Sequence, residues 1–220
     1  MGKSHYNAFL TLLRDLFTLA WRDRLIAEHP CKHLKYRKRE KPIRLAPSFE
    51  DFKRIVADIR AQQFNADAKD SANFVEFIGL SGLGRAEAGS LTWGDIDFEA
   101  GTIRTLRHKT DQGFTVPVFP QLRPFLDGLH GKMAHDPGGR VFAVKDSKKA
   151  LAGACARLNL PHYTHIALRR MFITRAIEKG IDVKVIAQWQ GHRDGGKLIL
   201  DTYSHGNRAH SQRMAALMSE

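Results

Sequence analysis

Three stretches near the C-terminus hold side chains suited to chemistry at a phosphate. Thr164-His165-Ile166-Ala167-Leu168-Arg169-Arg170 opens a predicted helix, Gln190-Gly191-His192 follows, and Leu200-Asp201-Thr202-Tyr203-Ser204-His205 comes last. An arginine, a histidine and a tyrosine in this order supply the parts of a transesterification. A hydroxyl attacks phosphorus, cations neutralise the non-bridging oxygens, and an acid protonates the departing oxygen. A phenol suits the first role because it ionises far more readily than an aliphatic alcohol. Tyr203 is the candidate nucleophile, with Arg169 and His192 the candidate phosphate ligands.

Such groups need a scaffold, and the apolar periodicity outlines one. Phe9, Leu12, Leu13, Leu16, Phe17, Ala20 and Trp21 recur at helical spacing, which predicts a helix over residues 6–27 that His29-Pro30 terminates. Ser48-Phe49-Glu50-Asp51 resembles a capping box opening a helix through Arg60. Further helices are predicted over residues 71–80, 86–91, 121–132, 146–158, 167–179 and 182–190, with Gly180 and Gly191 in C-cap positions. Thr102–Leu106 and Phe114–Phe119 are rich in β-branched and aromatic residues. They flank the polar turn Thr110-Asp111-Gln112-Gly113 and predict a β-hairpin. The expected fold is mainly α with a small antiparallel β-sheet. A single helix cannot bury its own apolar face. Residues 1–42 are therefore expected to be the terminal helix and basic linker of a truncated domain, and 43–220 a domain of their own.

The 220 residues carry a formal net charge of +12, an excess that points to a polyanionic partner, nucleic acid or an anionic membrane surface. The charge is uneven, with 11 basic and 4 acidic side chains in residues 1–47. Within Lys32-His33-Leu34-Lys35-Tyr36-Arg37-Lys38-Arg39-Glu40-Lys41, and on to Arg44, the side chains of Lys35, Arg37, Lys38, Arg39, Lys41 and Arg44 are candidates for a phosphate backbone. A solvated linker is the plainer reading of the same run. No apolar stretch is long enough for a membrane helix. Cys31 and Cys155 form no CxxC pair and suit a reducing compartment. No Walker loop, metal-ligand motif or Cys/His cluster occurs, so neither a metal nor a nucleotide cofactor is expected.

Taken together, the three C-terminal stretches resemble the tyrosine recombinase (phage integrase) signature: a His-x-x-Arg box, a Gly-His box and the nucleophile. Two upstream segments complete the resemblance. Ser81-Gly82-Leu83-Gly84-Arg85-Ala86-Glu87 with Leu91-Thr92-Trp93-Gly94-Asp95-Ile96-Asp97 is similar to the first-arginine box. Lys109-Thr110 followed by Val116-Pro117 is similar to the lysine-bearing hairpin. The resemblance covers roughly residues 45–205, and residues 5–30 look like the last helix of that family's core-binding domain. It implies the tyrosine recombinase catalytic-domain fold (α+β) over 43–220. It also implies a 3′-phosphotyrosyl intermediate on Tyr203, a phosphate contact from Arg169, a phosphate hydrogen bond or help with proton transfer from His192, and Lys109 as the acid for the 5′ oxygen. Double-stranded DNA is the implied partner, within a homo-tetramer docked through the tail after Tyr203. The implied setting is cytoplasmic and nucleoid-associated, in a prokaryote or phage.

Two positions depart from that pattern. The first catalytic arginine falls at Gly84, with Arg85 one step late, and the box histidine falls at Ile166, with His165 one step early. One residue rotates a helix by about 100°, so Arg85 and His165 are only candidate replacements, and Arg104, Arg107 and Arg170 are further sources of charge. Three readings stay open: an active recombinase or integrase of a mobile element, a DNA-binding relic or regulator with the same fold, and a topoisomerase-like nicking enzyme.

Overall fold

A computed structural model describes residues 1–38, 45–107, 111–131, 136–192, 195–197, 199, 200, 212 and 215. The chain divides into two units, Met1–Arg44 and Leu45–Glu220.

The first unit is built on α1 (Lys3–Arg22), shorter than the predicted 6–27. Its end is set by Arg24, not by Pro30. Arg24 takes a left-handed φ of 59°. The amides of Arg24 and Leu25 then bond the Trp21 and Ala20 carbonyls, which is the Schellman pattern. The chain turns back along the helix, where His29 Nε2 meets the Arg14 carbonyl at 3.2 Å. The following stretch is clamped by Asn7. Its amide donates to the Arg37 carbonyl and its carbonyl accepts the Arg37 amide, both at 2.9 Å. Of α1, only Asn7 and Leu10 are buried; Phe9, Leu12, Leu13, Leu16, Leu19 and Trp21 are exposed.

The second unit is mainly helical with one small sheet. Helices α2 (Phe49–Arg60), α3 (Ala68–Ser81), α6 (Lys148–Arg157) and α7 (His165–Glu178) carry most of its core. Ser48 caps α2: its hydroxyl accepts the Asp51 amide at 3.0 Å and donates to the Asp51 carboxylate at 2.8 Å. Short helices α4 (Arg85–Ser90), α5 (Arg123–His130) and α8 (Val183–Trp189) accompany them.

The sheet holds β1 (Ile96–Asp97), β2 (Thr102–Arg107) and β3 (Gln112–Pro117), all antiparallel in that order. Ile96, Ile103 and Val116 lie opposite one another and are all buried, so one row of β-branched residues seats the sheet on the core. Two expectations need correction. Gln112 and Gly113 pair with Arg107 and Leu106 as strand residues, so the predicted four-residue turn is shifted. The two-residue β1 is too short to leave a period-2 pattern in the sequence.

Candidate active site

The Gly-His segment is a helix cap. After α8, Gly191 takes φ +61°, its amide bonds the Gln188 carbonyl, and the His192 amide bonds the Ala187 carbonyl, each at 2.9 Å. This Schellman closure fixes where His192 begins. Gly191 is required twice over. Its φ is left-handed, and a Cβ there would lie 2.9 Å from two carbons of the Phe114 ring on β3. The hairpin therefore packs directly on this turn.

Two guanidinium groups converge on the same turn. Arg169, one helical turn into α7, donates Nη2 to the Gln190 carbonyl at 2.9 Å. Arg107, the last residue of β2, donates Nη1 to that carbonyl at 3.3 Å and also to the Gly191 carbonyl. Gln190 itself is 1% exposed, and neither polar atom of its side-chain amide has a hydrogen-bond partner among the described residues. Chemically, two guanidiniums beside a histidine-bearing turn can hold a tetrahedral oxyanion.

The first-arginine segment meets this place through its backbone. Gly84 precedes α4, and a Cβ on it would lie 3.2 Å from Arg169 Nη1 and 2.2 Å from a Glu87 carboxylate oxygen. Position 84 thus faces the Arg169 guanidinium, and the Glu87 carboxylate fills the space a side chain would enter. Arg85 pairs instead with Asp146 at 2.7 Å.

His165 joins that second cluster. It is 9% exposed, its Nε2 is 2.8 Å from the Ser147 hydroxyl, and its Nδ1 is 4.0 Å from Asp146. Burial pushes the imidazole below its usual pKa; Asp146 opposes that shift and Arg85 adds to it. Burial pushes the Asp146 carboxyl up, but the Lys148 amide, Arg85 and His165 outweigh it and hold the group below its usual value. Ile166 is 63% exposed, so α7 turns residue 165 inward and 166 outward.

The structure thus brings Arg169 and His192 to one turn, with Arg107 beside them, and brings Arg85 and His165 to Asp146. Lys109 and Tyr203 lie outside the described residues, as do Arg39, Lys41 and Arg44. Lys35, Arg37 and Lys38 are exposed. Arg37 also stacks on Tyr6 with its guanidinium carbon 4.0 Å from the ring centre, so this part of the basic run is held against α1. Arg104 is tied to the Gly94 carbonyl at 3.2 Å. Sequence reasoning missed Asp146, Ser147 and Asn7, and it named Gln190 within the Gln190-Gly191-His192 stretch without giving it a role.

Comparison with known proteins bears on the family and the fold. The sequence model described as phage integrase family matches residues 48–210. A curated relative, the prophage integrase IntF of Escherichia coli K12, is 27% identical over 129 residues. That match spans 54% of this chain but only 28% of the relative. Among solved structures, the Tn1549 transposon integrase in complex with circular intermediate DNA aligns with TM-score 0.71 at 16% identity, over 98% of this chain and 79% of that one. A lambda integrase dimer bound to a core site aligns with TM-score 0.70 at 16% identity, over 88% and 73%. The catalytic domain of bacteriophage HP1 integrase aligns with TM-score 0.58 at 19% identity, over 79% and 95%. These likenesses carry the tyrosine recombinase catalytic fold, and with the family model spanning most of its length, the chain belongs to the phage integrase family.

Proposed function

We propose that this chain cleaves and rejoins double-stranded DNA in site-specific recombination, with Tyr203 as nucleophile. The Tyr203 phenolate oxygen attacks the scissile phosphorus, having passed its proton to His192 or to water. The bond from phosphorus to the 5′ oxygen breaks, and that oxygen takes a proton from Lys109. The 5′ hydroxyl of a second strand then gives its proton back to Lys109 and attacks the 3′-phosphotyrosyl group, the phosphorus–tyrosine bond breaks, and the phenolate regains its proton from His192 or water. Bond energy is conserved, so the cycle consumes no nucleotide. Arg169 neutralises the non-bridging oxygens.

One observation carries the reading: Arg169 and the His192 turn are locked together through the Gln190 carbonyl, at 2.9 Å. DNA as the partner is supported by the net charge of +12 and by two structural neighbours that are complexes with DNA. Residues 1–42 act in this reading as the end of a core-binding domain whose basic run follows a phosphate backbone. The active form is a homo-tetramer, joined through the segment after Tyr203.

A second reading, a DNA-binding regulator with the same fold, is favoured by one feature. Position 84 has no side chain, while Arg85 and His165 are engaged with Asp146 and Ser147. A library of nicked duplexes of random sequence separates the two. Covalent protein–DNA complexes that survive denaturation and disappear in Tyr203→Phe support the recombinase. DNA binding without any covalent complex supports the regulator.

A further inference from the structure

A phosphate in transesterification needs more than one cation, because negative charge grows on its non-bridging oxygens as phosphorus becomes five-coordinate. Position 84 contributes none here. It lies against Arg169, and what enters the space is the Glu87 carboxylate, whose charge opposes an incoming phosphate. Neither neighbour compensates directly, since Arg85 is paired with Asp146 and His165 is buried against Ser147.

A second guanidinium does arrive, from the hairpin. Arg107 ends β2, and its Nη1 meets the Gln190 carbonyl that already accepts Arg169. Phe114, on the paired strand, packs against Gly191 and fixes the hairpin at this turn. Two like charges sharing one carbonyl repel, and an anion between them relieves that repulsion. The hydrogen bonds of Arg107 to described residues run through Nη1 alone. A guanidinium has five N–H groups in a planar fork, so its other edge matches two phosphate oxygens.

We infer that Arg107 supplies, from the hairpin, the second guanidinium for the scissile phosphate that Gly84 cannot supply. This rests on the recombinase reading for its chemistry, but the phosphate site itself does not depend on catalysis. The role differs from a structural clamp on the turn, because a clamp could not be replaced by an arginine on another element.

Two measurements test it. The first is single-turnover cleavage of a nicked duplex recovered from the random library. Arg107→Ala is expected to slow cleavage about 10²–10³-fold, Arg107→Lys less. Gly84→Arg is expected to restore at least about tenfold in the Arg107→Ala background, the Glu87 carboxylate being the end of a flexible side chain that can move aside. Cleavage by Arg107→Ala at the wild-type rate, or no rescue by Gly84→Arg, overturns the inference. The second needs no chemistry: thermal unfolding of the full chain in inorganic phosphate against chloride at equal ionic strength. The wild type and an Arg104→Ala control are expected to gain the same phosphate-specific rise in Tm, and Arg107→Ala to lose most of it. No such rise in the wild type, or an undiminished rise in Arg107→Ala, overturns the inference. If the wild type never forms a covalent complex, the recombinase reading falls, and this second measurement still decides whether Arg107 binds phosphate.

Discussion

Replacing Gly191 by alanine probes the turn on which Arg169, Arg107 and the hairpin all converge. Two costs are legible in the structure. At φ +61° an L side chain suffers about 1–2 kcal/mol of backbone strain. The added Cβ would also stand 2.9 Å from two Phe114 ring carbons, closer than packed carbons approach, so the ring must move. Overpacking of this kind costs typically about 1–3 kcal/mol. A combined loss of about 3 kcal/mol corresponds to roughly 6–12 °C in Tm for a chain of this size. Urea unfolding followed by tryptophan fluorescence measures it. The double mutant Gly191→Ala/Phe114→Ala separates the two costs, because removing the ring leaves only the strain. The two substitutions should therefore be less harmful together than their separate effects predict, by about 1–3 kcal/mol. Gly128→Ala is the control. It lies in α5 with nothing within 4 Å of its added Cβ and should stabilise by about 0.5–1 kcal/mol. Gly191→Ala within about 0.5 kcal/mol of wild type, or strict additivity with Phe114→Ala, would refute the reasoning.

Gln190→Leu should raise stability by about 1 kcal/mol or more in the same assay, since it removes a buried amide without partners among the described residues; a loss would show that the amide is satisfied. The depressed pKa of His165 fixes a sign for pH. Its imidazole gains protons more readily unfolded than folded, so its contribution is full above about pH 6.5 and lost as pH falls toward the folded value. Over that window wild-type stability should fall more steeply than that of His165→Asn, by up to about 1.4 kcal/mol per pH unit; parallel curves would argue against it. Neutralising Lys35, Arg37, Lys38, Arg39 and Lys41 together should flatten the log–log salt dependence of DNA binding by up to ~4–5, about 0.9 for each phosphate left without its cation. An unchanged slope would make the run a plain tether.

Much of this protein is legible in local sequence because its elements are bounded by local rules. Helical periodicity locates the helices, and Gly180 and Gly191 mark two ends that the backbone closes by Schellman bonds. Where a cap uses an unexpected residue the local rules misplace the boundary, as at Arg24, whose left-handed conformation ends α1 early. The order of Arg169, His192 and Tyr203 is likewise legible, because it is a property of the chain itself and needs no folding to be read. Which neighbour could stand in for the residues missing at 84 and 166 is not. That depends on the rotation of α7, which turns His165 into the core beside Phe74 and leaves Ile166 outside. It depends also on Asp146, far away in sequence, which draws Arg85 to itself. Arg107 and Arg169 are 62 residues apart and share no motif, yet they meet on one carbonyl. The packing of Phe114 on a glycine that only a folded helix end brings into reach decides that meeting, and no local pattern encodes it.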